Sequence, residues 1–155
     1  TDLLNSVVFE FTNQAESKNI KLSLLQPNRP LPLVTIDPAK IRMVLENLLD
    51  NAIKYTPKNG VVTITVDDAK INTAQPTVEI IVADTGIGIA AVDQPKIFQK
   101  FYRAANAVSA EPDGTGLGLF IGRDIIEKHR GTLWFDTTTG QGTKFHLTLP
   151  INQSK

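Results

Sequence analysis

The sequence contains no cysteine, and that absence excludes a disulfide framework, a thiolate metal site and a cysteine nucleophile while leaving the redox compartment open. Charge of one sign is not in excess either. Sixteen Lys and Arg balance sixteen Asp and Glu to a formal charge of +0, so the broad positive field of a nucleic-acid-binding surface is not expected. No apolar run is long enough to span a bilayer, and Thr1-Asp-Leu-Leu-Asn does not read as the start of a signal peptide. The initiator methionine is also missing, which is read as the mark of a fragment of a longer chain. Aromatics make up only 6% of 155 residues, yet 41% hydrophobic and 21% charged content suits one compact domain with a working core.

What is present is a succession of periodic segments. Leu4, Val7, Val8, Phe11 and Ala15 recur at three- and four-residue steps, predicting an amphipathic helix from Asp2 to Lys18. Ile20 to Leu24 alternates as a half-buried strand, and a proline-interrupted connection leads to a short extended piece, Leu33 to Ile36. Asp37 as N-cap and Pro38 at the first helical position start a second helix that runs to Tyr55. Val61 to Asp67 and Thr77 to Ala83 read as strands, with a hairpin at Asn72 to Pro76. Roughly thirty irregular residues follow Asp84, a length that inside a compact domain points to function or mobility. Leu117 to Lys128 is a third helix, and strands Thr132 to Asp136 and Thr143 to Leu149 close the chain. The order implies an α+β fold, a mostly antiparallel sheet with helices on one face.

Three features carry chemistry. In Gly114-Thr115-Gly116-Leu117-Gly118-Leu119 a glycine recurs at every second position, so consecutive N–H groups can converge on an anion beside a helix start. A hinge or tight turn has the same composition, and the run fits neither the Gly-Lys-Ser/Thr phosphate loop nor the dinucleotide fingerprint. Asn47 and Asn51 stand four apart on the second helix, so both amides project from one face with Lys54 nearby. A solvated face is one explanation; the other is an amide oxygen serving as a neutral hard ligand for Mg²⁺ beside phosphates. Asp84, at the end of an apolar strand, either begins a turn or offers a fixed acceptor to an exocyclic amine such as that of adenine. Aromatics cluster in Ile97-Phe98-Gln-Lys-Phe101-Tyr102-Arg103, either as a satellite core or as an anchor that orders the loop around a ligand.

In order along the chain, Asn47-Leu-Leu-Asp-Asn51-Ala-Ile-Lys54-Tyr55-Thr56-Pro57, Asp84-Thr-Gly86-Ile-Gly88-Ile89, Ile97 to Arg103, Gly114 to Leu119 and Gly140-Gln-Gly142-Thr143-Lys-Phe145 resemble five boxes of one family. They look like the N, G1, F, G2 and G3 boxes of the catalytic ATP-binding domain of two-component sensor histidine kinases. The resemblance covers nearly the whole chain, taken as one domain over residues 1–155. It implies the Bergerat (GHKL) fold shared with gyrase, MutL and the large heat-shock chaperones: a two-layer sandwich of about five strands on about three helices, with a mobile ATP lid.

By the same resemblance, Asp84 would meet the adenine amine, Gly88 would allow close approach to the base, Tyr55 would lie near base and sugar, and Thr143 would line the adenine pocket. Asn51 would bind Mg²⁺, and Asn47 would stand where related ATPases place a glutamate base. Lys54 and Arg103 would face the phosphates, so that Asn47, Lys54 and Arg103 form the expected catalytic set. Backbone amides from Gly116, Leu117, Gly118 and Leu119 would hold phosphate oxygens. Gly86, Ile89, Phe101, Tyr102, Gly114 and Thr115 complete the nucleotide contacts, while Phe98 and Phe101 fasten the lid. Glu46 is not promoted to catalytic base, because helix neighbours diverge by about 100°.

A kinase of this type needs an acceptor histidine. The chain has only His129 and His146, neither followed by the family's acceptor pattern, and both are read as structural. His129 ends the third helix, where positive charge would favour the dipole. The acceptor is therefore expected on a dimerisation domain upstream, with Thr1 to Leu4 as the end of the linker, a response regulator as downstream partner and no nucleic acid. The resemblance further implies a monomeric fragment, a homodimeric full-length kinase and a cytoplasmic location. An ATPase of the gyrase or chaperone class, a related serine kinase and a nucleotide-binding regulatory module are the alternatives. The first two are disfavoured by Asn47 in place of glutamate and by the aromatic box, the third by the intact boxes.

Overall fold

A computed structural model describes residues 1–67 and 75–151. Its elements are α1 (Asp2–Ser17), β1 (Lys21–Leu25), α2 (Pro38–Tyr55), β2 (Val61–Asp67), β3 (Thr77–Asp84), a 3₁₀ turn (Gln94–Lys96), α3 (Ala105–Ala110), α4 (Gly118–Lys128), β4 (Thr132–Thr138) and β5 (Gly142–Pro150). The strands form one open sheet in the order β1-β2-β3-β5-β4. Only β1 and β2 pair in parallel; the other neighbours are antiparallel. The expected α+β sandwich is therefore present, with α1, α2 and α4 as its longer helices.

Period-2 burial puts one face of the sheet against the helices. Val62, Ile64 and Val66 of β2, Val78, Ile80 and Val82 of β3, and Phe145, Leu147 and Leu149 of β5 are all buried. Registered pairs knit them into a sheet of apolar contacts: Ile64 lies opposite Val82, Ile80 opposite Leu147, and Leu147 opposite Leu133. Against this sits α2, which buries Ile41, Val44, Leu45, Leu48, Leu49, Ala52 and Ile53 along one stripe. Burying each of its larger side chains is worth about 1.5–3 kcal/mol. The opposite side of the helix is left to carry polar groups.

Both ends of α2 are secured. Asp37 Oδ1 accepts from Ala39 N at 3.1 Å and Lys40 N at 3.2 Å, and Pro38 occupies the first turn as expected. His129 adds a long-range staple: its Nε2 accepts the amide of Asp37 at 3.0 Å, while Nδ1 donates to the carbonyl of Ile125 at 2.8 Å. An acceptor at Nε2 is incompatible with a doubly protonated ring, so His129 serves here as a neutral tie between α4 and α2. The expected complement of charge to helix dipole is not what holds it. His146 lies on the open face of the sheet, stacked on Trp134 with ring centroids 5.0 Å apart and bonded to Glu79 at 2.8 Å.

Some boundaries differ from expectation. The piece Leu33 to Ile36 makes only an isolated bridge, Val34 with Ile151. Within the irregular stretch the 3₁₀ turn and α3 have no counterpart in the sequence reading, because six and three residues are too short to display a period. Asn72, Thr73 and Ala74 of the expected hairpin lie outside the described residues, although β2 and β3 do pair antiparallel.

Removing the cap of α2 by Asp37→Ala is expected to cost about 1 kcal/mol. Differential scanning calorimetry should then show a melting temperature lower by roughly 2–4 °C.

Candidate functional site

The polar side of α2, the loop after β3, the segment around α3, the start of α4 and the β4–β5 hairpin enclose a cavity of about 370 Å³. A volume of this order is that of a small-molecule or cofactor site. Fifteen of the residues singled out in the sequence line it: Asn47, Asn51, Lys54 and Tyr55 from α2; Asp84, Gly88 and Ile89 from β3 and its loop; Tyr102 and Arg103; Gly114, Thr115, Gly116, Gly118 and Leu119; and Thr143 from β5. Ile97, Ala104 and Phe145 add apolar wall.

Asp84 is the best-defined polar group. Its Oδ1 accepts from Gly86 N at 2.8 Å and from Thr143 N at 3.2 Å, leaving Oδ2 as the oxygen available to a ligand. Burial pushes its carboxyl above the ordinary value of 3.8, and the two amide bonds pull it part of the way back. Thr143 is further set by Thr137, whose hydroxyl donates to the carbonyl of Gly142 at 3.0 Å and accepts from Ile89 N at 3.0 Å. With that proton committed, the 2.9 Å contact between Thr137 and Thr143 requires Thr143 to be the donor. Gly88, in the left-handed region at φ +68°, has a space constraint of its own: a Cβ there would lie 2.3 Å from the carbonyl oxygen of Thr138.

At the opposite end the amides of α2 meet the glycine run. A Cβ on Gly118 would stand 1.9 Å from Asn47 Oδ1, so the missing side chain is what lets the start of α4 pack onto Asn47. Asn47 Nδ2 is buried and has no hydrogen-bond partner. Lys54 pairs with Asp50 at 2.6 Å, and that hydrogen bond raises its pKa against the opposing effect of burial. Arg103 donates to the carbonyls of Pro112, at 2.8 Å, and of Glu111. Both cations border the cavity while holding partners within the protein, where the sequence reading had them facing phosphates.

Three of the expected contacts are not on the cavity wall. Gly86 packs against α2, where a Cβ would come within 2.5 Å of the Tyr55 carbonyl oxygen. Leu117 acts as the residue before α4, its amide bonded to Thr115 Oγ1 at 3.3 Å. Phe101 adopts φ +65° and is exposed as a residue, with Lys100 Nζ 5.6 Å from the ring centroid. The expected fastening of the segment by Phe101 is therefore corrected: its backbone does it, through the bond from Phe101 N to Gly116 O at 2.9 Å. Phe98 does anchor, 5.8 Å from Phe135 and beneath Arg123. Tyr102 donates its hydroxyl to Asp93, a bond that raises the phenol pKa.

Sequence reasoning missed Asp50, Asn106, Glu111 and Thr137. An i,i+4 partner for Lys54 was readable at Asp50. Asn106, whose Nδ2 donates to the Gly88 carbonyl at 3.1 Å, and Thr137 act across long sequence separations that no local pattern reveals.

The fold and this cavity define a nucleotide-binding ATPase domain. The family model of the histidine kinase-, DNA gyrase B- and HSP90-like ATPases matches residues 36–153, and the chain belongs to that family. Within it, the chain is 35% identical over 150 residues to the sensor histidine kinase WalK of Bacillus subtilis, covering 97% of this chain and 24% of that protein. It is 38% identical over 149 residues to the adaptive-response sensory kinase SasA of a Synechococcus species, covering 96% and 38%. The chain thus spans about a quarter of the first of these relatives and less than two fifths of the second. The solved catalytic domain of histidine kinase ThkA superposes with a TM-score of 0.81 at 31% identity, over 98% of this chain and 94% of that one. A full-length ShkA structure in complex with AMPPNP gives a TM-score of 0.80 at 29% identity, covering 99% and 30%.

Because native Asp84 holds its proton to higher pH than the unfolded chain does, the native state binds more protons above 3.8, and stability falls as pH rises through that interval. Asp84→Asn removes this dependence. In thermal melts the variant should match or exceed wild-type stability at neutral pH, with the difference shrinking as the medium is acidified to 3.8 and below.

Proposed function

We propose that the cavity binds Mg²⁺-ATP and that the domain delivers the γ-phosphoryl group to a histidine on a separate dimerisation and phosphoacceptor domain, from which it passes to a response regulator. The observation that carries this reading is the pairing, in one cavity, of a buried carboxylate at one end with two helix-borne amides and the glycine run at the other. Asp84 Oδ2 would accept the exocyclic amine of adenine, a group that a guanine base replaces with a second acceptor. The apolar wall of Ile97, Ala104 and Phe145 suits the base plane. Gly116, Gly118 and Leu119 would offer backbone N–H groups at the start of α4 to phosphate oxygens.

The residues fit a magnesium ion shared with phosphates. Among the described residues no group of three His, Asp or Glu side chains is arranged to hold a metal, so phosphate oxygens would supply most of its ligands. Asn51 would contribute a neutral amide oxygen, and Asn47 Nδ2, buried without a partner, would gain an acceptor. When bound, Mg²⁺ neutralises charge on the β- and γ-phosphates. Lys54 and Arg103 would exchange their protein partners for phosphate oxygens, so these residues position and neutralise. In the transfer an imidazole nitrogen bonds to the γ-phosphorus, the bond to the β,γ-bridging oxygen breaks, ADP leaves and the imidazole proton passes to solvent.

Kinase chemistry is favoured over simple hydrolysis by Asn47, an amide that cannot take a proton from water, and by the occupation of Asp50 by Lys54. Neither His129 nor His146 lines the cavity, which supports an acceptor from another domain. The chain contains no helix long and apolar enough to cross a membrane among the described residues.

Two variants test the site. Asn51→Ala should lose Mg²⁺-dependent ATP binding in calorimetry; normal affinity and normal transfer would remove Asn51 from the site. In Asp84→Asn the amide would place a donor against the adenine amine, and loss of that one bond is worth about 1–3 kcal/mol, on the order of a 5- to 150-fold weaker nucleotide affinity. For the reaction itself, the chain mixed with the separate helical acceptor domain and radiolabelled ATP should yield an acid-labile, alkali-stable phosphoprotein. An acid-stable product would assign serine or threonine as acceptor instead.

A further inference from the structure

The last carbonyls of an α-helix lack regular intrahelical donors, and in α2 those of Ile53, Lys54 and Tyr55 each find a partner beyond the helix, just past the regular bond to Ala52 O. Ala52 O accepts from Thr56 N at 3.1 Å, and Tyr55 O accepts from Ile87 N at 3.1 Å. The two between them, Ile53 O and Lys54 O, accept from one side chain: Lys18 Nζ, at 2.9 and 2.7 Å. Lys18 is the residue that caps the C-terminus of α1, and it does not border the cavity. Its ammonium sits where the partial charge of α2 is negative, so hydrogen bonding and dipole act in the same direction. Lysine suits the place because a single flexible ammonium carries three donors and can serve two converging carbonyls.

This turn is no ordinary helix end. It carries Asn51, Lys54 and Tyr55, which line the cavity, and the Tyr55 carbonyl is the point from which Ile87, and with it the Gly88 loop, hangs. Gly86 is packed within 2.5 Å of that same carbonyl oxygen, counted from where a Cβ would be. Any unwinding of the turn would therefore move the amide of Asn51 and the base-side loop together.

We propose that Lys18 is a positioning residue for the nucleotide, acting through the last turn of α2 without touching the ligand. Lys18 holds the turn helical as far as Tyr55 and so sets the distance between the Asn47 and Asn51 face and Asp84. It makes the orientation of α1 a determinant of nucleotide affinity. The inference rests on the Mg²⁺-ATP reading given above.

The test compares Mg²⁺-ATP binding by isothermal titration calorimetry for the wild-type chain, Lys18→Met, Lys18→Arg and Leu4→Ala, at a temperature where circular dichroism shows each to be folded. Leu4 is buried in the core from the same helix, so its truncation lowers stability without removing the tie. Lys18→Met should raise the dissociation constant roughly tenfold, as expected when a charged hydrogen bond that orients binding groups is lost. Lys18→Arg, whose fork can also reach two carbonyls, should restore most of the affinity. Leu4→Ala should lower the melting temperature and leave the dissociation constant at the wild-type value. A Lys18→Met chain with wild-type affinity overturns the inference, as does an equal loss in Leu4→Ala. Should Lys18→Met not fold, Lys18→Gln, whose amide is uncharged and one atom shorter and so cannot replace the ammonium on both carbonyls, is measured instead; a several-fold loss supports the tie and wild-type affinity overturns it. A wild-type chain without affinity for Mg²⁺-ATP removes the functional reading and this inference with it, whereas normal wild-type affinity with unaffected Lys18 variants removes only the inference.

Discussion

A carboxylate at the end of a buried strand is tolerated only when hydrogen bonds are aimed at it, and one end of the cavity is organised around meeting that demand for Asp84. Its two donors come from different directions. Gly86 N lies in the loop that continues β3, and Thr143 N lies on β5, far along the chain. Bringing Thr143 that close demands a neighbour without a side chain, since a Cβ on Gly142 would come within 1.9 Å of the Asp84 carbonyl oxygen, and its φ of +106° suits glycine alone. Bringing Gly86 that close demands another, against the carbonyl of Tyr55. The glycines around Asp84 thus act as close-packing residues, which makes this end rigid and gives the remaining carboxylate oxygen a fixed direction.

The end bordered by Lys54 and Arg103 is built differently. Lys54 is engaged by Asp50, Arg103 by two backbone carbonyls and Tyr102 by Asp93. An incoming anion therefore replaces existing contacts, and the net gain is smaller than the gross attraction. Phe98 attaches the intervening segment to Phe135 at one point, and backbone bonding between Phe101 and Gly116 attaches it at another. Asn106, tied to the Gly88 carbonyl, connects that segment to the Asp84 end.

Between the two ends runs α2, whose apolar stripe fixes it on the sheet and whose polar side faces the cavity. Its role explains why both of its termini receive unusual attention: Asp37 and His129 at one, Lys18 and Ile87 at the other. A helix that carries ligand groups along more than two turns transmits any tilt to all of them.

Much of this was readable beforehand. The stripe and N-cap of α2, the alternation of β2 and β5, and the amide pair at helical spacing are local signals, because side-chain periods of 3.6 and 2 are set by the backbone itself. The glycine run was readable as a place where backbone is approached closely. What approaches it was not. That Asn47 fills the space at Gly118, and Thr138 the space at Gly88, depends on residues some seventy and fifty positions apart.

The sequence by itself determined the main helices and strands and the face each one buries, since these follow from periodicity and capping, and it marked most of the residues that line the cavity. Tertiary structure decided which of the marked residues share one cavity, that Phe101 is exposed, that His129 acts as an uncharged tie, and that Lys18 closes the helix bearing Asn51. These outcomes depend on which carbonyls and side-chain voids remain unfilled after the layers pack, a quantity that exists only once distant parts of the chain are in contact.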